Sequence, residues 1–399
     1  MNKTLKNIIK WSVIVLSILL ILLILLLMIG GLFVTPNYLS PWDKKYYNIY
    51  QDPRLRILAI GILAPSAHNM QHWHFELPDD DPNKIGIYAD PERFLENDPT
   101  HREMMISIGT LLEYLNIAAK KQGHGLDLKL FPKGPLDEEN FASSLSEKPI
   151  AEITINHEPD LKGVELYDNL FIQDTNRYEY VTTPLSQSEI NLFRELNDFE
   201  DLEIKFYSQP EERATIKELA LKGLSIIDNT PRLSKEYKEI TRKNERQKNA
   251  KSYGFSVETQ GVKNWFVKYF LQGVMTVAPF LPTDKMRAKM TQDMYQKLYS
   301  STPTFMCIVC PTDKINDREV QVNCGRLYSR LILTGHTLKI GFHPMSSVIA
   351  DYPEAHLVKG EFMTKFLSSN EYPLMLTRVG MITKPFPHSM REYALDHVR

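Results

Sequence analysis

Ala64-Pro65-Ser66-Ala67-His68-Asn69-Met70-Gln71-His72-Trp73 places three hydroxyl- or amide-bearing side chains between a helix end and a strand. Leu55, Leu58, Ala59, Ile62 and Leu63 before it carry helical spacing, and Pro65 is expected to stop that helix. Ser66, Asn69 and Gln71 then offer the donors and acceptors that a flat polar ring needs. On local chemistry alone the same residues also read as a turn with a helix cap, followed by a core tryptophan.

Working outward, two segments 216 residues apart look alike. Arg102-Glu103 leads through Gly109 to Leu111 and Leu115, and Arg318-Glu319 leads through Gly325 to Leu327 and Leu331. Both carry apolar stripes wide enough for a central helix packed on several sides. Short strands are expected around the first at 74–77, 85–88, 126–131 and 151–155, and around the second at 304–309 and 374–380. Ser186 and Glu189 have capping-box spacing and open a further helix. Helices among short strands, repeated twice, predict an α+β sandwich of two related halves.

The N-terminus departs from this pattern. Lys3, Lys6 and Lys10 precede an uncharged apolar run from Trp11 to Val34, which as a helix would span roughly 36 Å, enough to cross a bilayer. Gly30 to Val34 lacks a clear small-x-small cleavage pattern, so an uncleaved anchor at 11–34 is expected, with 1–10 cytoplasmic and the body outside. Lys44 and Lys45 beyond the span work against that orientation. Without the three N-terminal lysines the chain carries 44 basic and 49 acidic residues, which excludes a general nucleic-acid footprint.

Cys307 and Cys310 have redox-motif spacing but sit in a run that reads as a buried strand, where residues three apart face opposite sides. Buried thiols are expected. His72 and His74 lack evident further metal ligands, and Asp79-Asp80-Asp81 lacks the alternation of a calcium loop. Arg232 to Lys251, with eight basic and three acidic residues, reads as a solvated helix. The apolar stretch 264–281 reads as a lid or inter-half helix, with a second membrane span as the alternative.

Taken in order, Pro65-Ser66-x-x-Asn69-x-Gln71-x-Trp73, then Asp98-Pro99-x-x-Arg102-Glu103, then Thr175-Asn176-Arg177, resemble the nitroreductase-like flavoproteins. The resemblance covers nearly everything after the anchor and is nearest to the branch that fuses two such halves in one chain, the Acg-like proteins. It implies a first half at 45–160 and a second at 161–399, the latter with a lid-like insertion near 225–300. The fused chain would act as an internal pseudo-dimer, and the family's FMN would lie between its halves.

On that resemblance Pro65, Ser66, Asn69 and Gln71 approach the flavin from the first half, and Thr175 and Arg177 from the second. A cation beside the ring would stabilise its reduced anionic form. The backbone around Met345, Ser346 and Ser347 would face the flavin's N5, and Arg391 would pair with the phosphate. Gln173 stands where the family commonly has an arginine, and His72 where it often has a proline. The implied activity moves hydride from NAD(P)H to the flavin and electrons on to a nitro compound, quinone or similar acceptor, with no side-chain nucleophile. The alternatives are a flavin-storing protein and a membrane-tethered scaffold with a degenerate site.

Overall fold

The structure is a computed structural model and describes residues 3–159, 164–262 and 264–399. The expected boundary between halves at 160/161 lies outside the described residues.

Among the described residues, eight strands form two four-stranded antiparallel sheets. The first holds β1 (Trp73–Glu76), β2 (Lys84–Ala89), β3 (His124–Leu130) and β4 (Ala151–His157), in the order β1-β2-β4-β3. The second holds β5 (Glu203–Tyr207), β6 (Thr304–Pro311), β7 (Ile340–Pro344) and β8 (Glu371–Met381), in the order β5-β6-β8-β7. The two orders are the same, and in each sheet a 20-residue helix links the second strand to the third: Arg102–Lys121 and Arg318–Thr337. In β1 the alternation is physical: Trp73 and Phe75 are buried, whereas His74 and Glu76 face outward. β6 is buried on both faces, so its apolar residues run without alternation.

The two central helices pack on each other because two glycines let their backbones meet. A Cβ on Gly109 would lie 1.8 Å from the Val322 carbonyl oxygen, and one on Gly325 would lie 1.9 Å from that of Ile106. Around this crossing Leu111, Leu115, Leu327 and Leu331 are fully buried. Each such leucine stabilises the fold by roughly 2 kcal/mol. Arg102 anchors the start of the first helix through Asp351 at 3.0 Å, and the Asp98 carboxylate accepts from Met104 N at 3.0 Å.

One sequence expectation changes, and strands β5 and β7 lie outside the expected set. Ile340–Pro344 is edge strand β7, carried by its pairing with β8 rather than by a periodic signal. Residues 232–251 are not one solvated helix. They form Pro231–Glu239 and Glu245–Ala250, and Lys248 is fully buried between Glu245 and Glu258 at 2.8 and 2.6 Å. Trp265–Val277 is a helix of 13 residues, about 20 Å long and too short to cross a bilayer.

The N-terminal helix Lys3–Gly30 is long and apolar enough to cross one. All three cysteines are free and buried, as expected of thiols in a core strand and a central helix.

Candidate functional site

A cavity of about 240 Å³ opens beside the second sheet, where the loop after Ala64 and the two central helices meet strands β7 and β8. Pro65, Ser66 and Asn69 line it from one side, Thr175 and Arg177 from another, and Met345, Ser346, Ser347 and Arg391 from a third. Ile106, Ser107 and Thr110 of the first central helix and Tyr328 of the second also face it, so the glycine crossing sits beside the site.

The loop after Ala64 owes its shape to the first central helix. Ala67 N donates to Ser107 Oγ at 2.9 Å and Thr110 Oγ1 to the Pro65 carbonyl at 2.5 Å. Ser66 Oγ accepts from Gln71 N at 2.9 Å. His68, Asn69 and Gln71 all take positive φ, at 49°, 57° and 53°. Three left-handed non-glycine residues within four positions are costly, and they persist because surrounding contacts over-determine the turn.

Those contacts change the expected roles of three residues. Gln71 is fully buried and does not line the cavity. Its amide donates to the Ser252 carbonyl at 2.9 Å and accepts from Glu392 N at 3.0 Å, so it ties the loop to two remote segments. Asn69 reaches the cavity, yet its Nδ2 donates to the carbonyls of Gly254 and Met390 and its Oδ1 accepts from Arg391. Arg391 is 1% exposed; it donates to Asn69 Oδ1, Ser389 Oγ and the Leu63 and Ala64 carbonyls, and stacks over Trp42. A guanidinium so committed fastens the C-terminal segment to the end of helix Pro53–Gly61, which is a different task from gripping a phosphate.

Arg177 is less committed. Its Nη1 donates to the Thr259 carbonyl at 3.0 Å, while its Nε, like that of Arg391, is buried with no hydrogen-bond partner among the described residues. An N–H left in this way costs about 1–3 kcal/mol, which an acceptor in the cavity would relieve. His68 Nδ1 is likewise buried and unpartnered, while its Nε2 meets the Asn97 amide at 2.8 Å. Burial, with help from the Arg177 charge, pushes His68 down to about 4, so its ring is neutral at pH 7. Thr175 belongs to the edge of the second sheet, where it bridges Phe342, and its hydroxyl donates to Asp174 at 2.7 Å.

Around Met345 the backbone is partly spent. Met345 N donates to the Leu376 carbonyl at 2.8 Å, and Ser346 and Ser347 open the short helix Ser346–Ile349 at the cavity wall. Gly223 of helix Pro210–Asn229 makes room here, since a Cβ would come within 2.4 Å of the Ser347 carbonyl. Carboxyl groups also face the cavity. Burial raises Glu103, beside Asp98, above the usual carboxylate range, and pushes Glu236 up to about 7, so both lean toward the neutral form. Gln173, where a cation was missing, accepts from Ser389 N and donates to Asp174, each at 2.7 Å.

His68, Glu103, Tyr295 and His343 are cavity residues that the sequence reading did not single out. His68 lay within the decisive motif and could have been found there. Glu103 lay within the Asp98-Pro99-x-x-Arg102-Glu103 motif and His343 just before Met345; Tyr295 comes from a helix distant in sequence and gave no local signal.

No protein-family model matches the chain. Two Mycobacterium tuberculosis proteins named as NAD(P)H nitroreductases, from strains CDC 1551 and H37Rv, are each 26% identical to it over 137 residues, 34% of this chain. The chain matches about a third of their length, 36%. A Bacillus cereus protein of the nitroreductase-like family aligns over 60% of this chain and 97% of its own, at 10% identity and a TM-score of 0.34. A Desulfitobacterium hafniense nitroreductase with bound FMN aligns over 58% and 96%, at 9% identity and a TM-score of 0.34. An FMN-dependent Mycobacterium smegmatis nitroreductase in complex with NADPH aligns over 59% and 92%, at 12% identity and a TM-score of 0.31.

Proposed function

We propose that this protein is a membrane-tethered, FMN-dependent oxidoreductase of nitroreductase type, built from two related halves in one chain. It would take hydride from NAD(P)H and pass electrons to a nitro compound, a quinone or a similar acceptor. The observation that carries this reading is convergence: 65–69, 173–177 and 343–347, far apart in sequence, line one cavity beside the Gly109–Gly325 crossing. The shared strand order and the 216-residue offset of the two glycines support the duplication and the internal pseudo-dimer.

The lining fits a flat polar ring. Among the described lining residues, the buried nitrogens Arg177 Nε, His68 Nδ1, Gln260 Nε2, Arg287 Nε and Arg391 Nε lack partners, and Tyr295, Phe255 and Tyr328 supply aromatic walls. When bound, FMN would supply hydride acceptance at one ring nitrogen and electron delivery at the same face. The chain's own residues would do the rest. Ser66 and Thr175 orient the ring, Ser346 and Ser347 offer donors, and Arg177 brings the positive charge. Because Arg391 is committed to carbonyls and Asp174 is acidic, Arg177 would also carry most of the attraction for an anionic group.

The N-terminal helix is proposed as a single-pass anchor, with Lys3, Lys6 and Lys10 on the cytoplasmic side and the body outside. An extracytoplasmic body would favour electrons drawn from a membrane carrier over cytoplasmic NAD(P)H. A second reading, flavin storage without turnover, draws support from Tyr237, Phe255 and Arg287, which wall the cavity from the 225–300 region.

The test is the visible spectrum of the full chain in detergent, purified with FMN and desalted. Bound-flavin bands that bleach with NADH or NADPH are expected. Bands that resist both donors would point to storage or a membrane carrier, and a folded but colourless protein would sink the flavin reading.

A further inference from the structure

We infer that helix Trp265–Val277, with the turn up to Phe280, is a second membrane contact that lies in the headgroup and upper acyl region beside the N-terminal anchor. The inference rests on the membrane reading above and extends it to the lid. It starts from how the helix divides its surface.

At 100° per residue, Lys268, Gln272 and Thr276 share one face. That face is turned to the body: Lys268 meets Glu245 at 2.8 Å, Gln272 donates to Glu245 at 3.3 Å, and Asn244 donates to Thr276 at 3.0 Å. The next face, Tyr269 and Gly273, meets the N-terminal helix. A Cβ on Gly273 would lie 2.2 Å from the Leu26 carbonyl oxygen, and one on Gly30 would lie 2.1 Å from that of Tyr269. The remaining face carries Phe266, Val267, Phe270 and Val277, with exposures of 36–55%, and Phe280 just beyond is 72% exposed.

Water is a poor solvent for such a stripe, and exposed apolar patches of this kind mark interaction sites. Its occupant follows from continuity. The stripe abuts the last turns of a helix whose apolar side chains are exposed from Leu5 to Ile29, and Phe33 at its exit is 77% exposed. If the anchor is in lipid, the residues flush with its body-side end are at the lipid surface. From Tyr269 to Thr283 there is no Asp, Glu, Lys or Arg, so no charge has to leave water where the lid helix runs antiparallel beside the last turns of the anchor, Tyr269 against Gly30 and Gly273 against Leu26.

The contact would reach the site. Glu258 in the ion cluster beneath the helix is followed by Thr259, whose carbonyl holds Arg177. Helix Asp284–Ser300, which follows the turn, lines the cavity with Arg287, Thr291 and Tyr295.

The test uses the full chain in phosphatidylcholine vesicles. Val277→Cys and Phe280→Cys are labelled with an environment-sensitive fluorophore, which the buried native thiols do not compete for. Leu16→Cys reports on the anchor and Glu195→Cys on the exposed body. The expected result is several-fold stronger quenching of the 277 and 280 labels by shallow lipid-borne nitroxide than by aqueous iodide, with the reverse at 195. If 277 and 280 behave like 195 while 16 is quenched from lipid, this inference fails and the anchor stands. If 16 is not quenched from lipid, the membrane reading fails with it. Shielding of 277 and 280 from both quenchers would mean a protein partner, such as a second copy, and would also overturn the inference.

Discussion

Two helix crossings in this molecule use the same device and rest on opposite physics. At Gly109–Gly325 the central helices touch backbone to backbone inside an apolar core, next to the cavity. At Gly30–Gly273 the N-terminal helix touches the lid helix in the same reciprocal way. Behind the second crossing lies a buried ion cluster: Lys248 and Lys268 face Glu245 and Glu258, and Tyr38 donates to Glu245 at 2.7 Å. The first crossing is therefore held by packing, which is insensitive to charge. The second is backed by charges that must all be matched, because an unpaired ion there is far from water.

The largest effect is expected at that cluster. Glu258→Gln leaves Lys248 with only Glu245, which Lys268 also claims, and should destabilise the chain by about 4 kcal/mol in urea unfolding. An unchanged unfolding midpoint would mean that the cluster is solvated and the contrast is void. Acid supplies a companion measurement. Burial alone would raise Glu258, but the Lys248 and Lys268 charges outweigh it and hold the carboxyl at about 2, below its ordinary 4.5. Its contribution is thus present in full above pH 4.5 and is lost as the pH falls toward 2. The acid limb of the stability curve should be shallower in Glu258→Gln than in the parent.

Next in size is the packed crossing. Gly325→Ala forces a methyl against the Ile106 carbonyl and should cost about 3 kcal/mol with no change in pH dependence. Gly109→Ala should match it, because the contact is reciprocal. Combining the two should cost less than their sum, since the first substitution already separates the helices. Strict additivity would show that the two glycines do not meet.

The smallest expected effect separates the site from both crossings. Arg177→Ala should leave the unfolding midpoint within about 0.5 kcal/mol of the parent, as for a group whose native hydrogen bonding is incomplete. It should weaken FMN retention by about tenfold or more, the loss of one charge-assisted hydrogen bond. Retention equal to the parent's, measured by flavin fluorescence after desalting, would remove Arg177 from the site.

Much of the fold was legible along the chain because its signals are local. Alternation in β1, the unbroken apolar run of β6 and the stripes of both central helices follow from which face each residue buries. The Ser186–Glu189 capping box forms as read. Strand β7 was missed because an edge strand buried through Ile340, Gly341 and Phe342 looks like a loop without its partner. Lys248 was misplaced because a lysine's burial depends on acids ten residues away or on other elements, which its neighbours do not announce.

The site divides along the same line. By itself the sequence determined which short segments gather donors, acceptors and turn-forming residues, since these act over a few positions: 65–71, 175–177 and 345–347. It also determined that the N-terminal helix is apolar from Trp11 onward. Only the tertiary structure decided how those side chains are spent. Asn69, Gln71 and Arg391 became ties between remote segments because the nearest carbonyls claimed their amide and terminal guanidinium groups. Among the described residues Arg177 makes a single hydrogen bond, to Thr259, and its Nε, like that of Arg391, meets no acceptor; complementarity of that kind is a property of the folded arrangement.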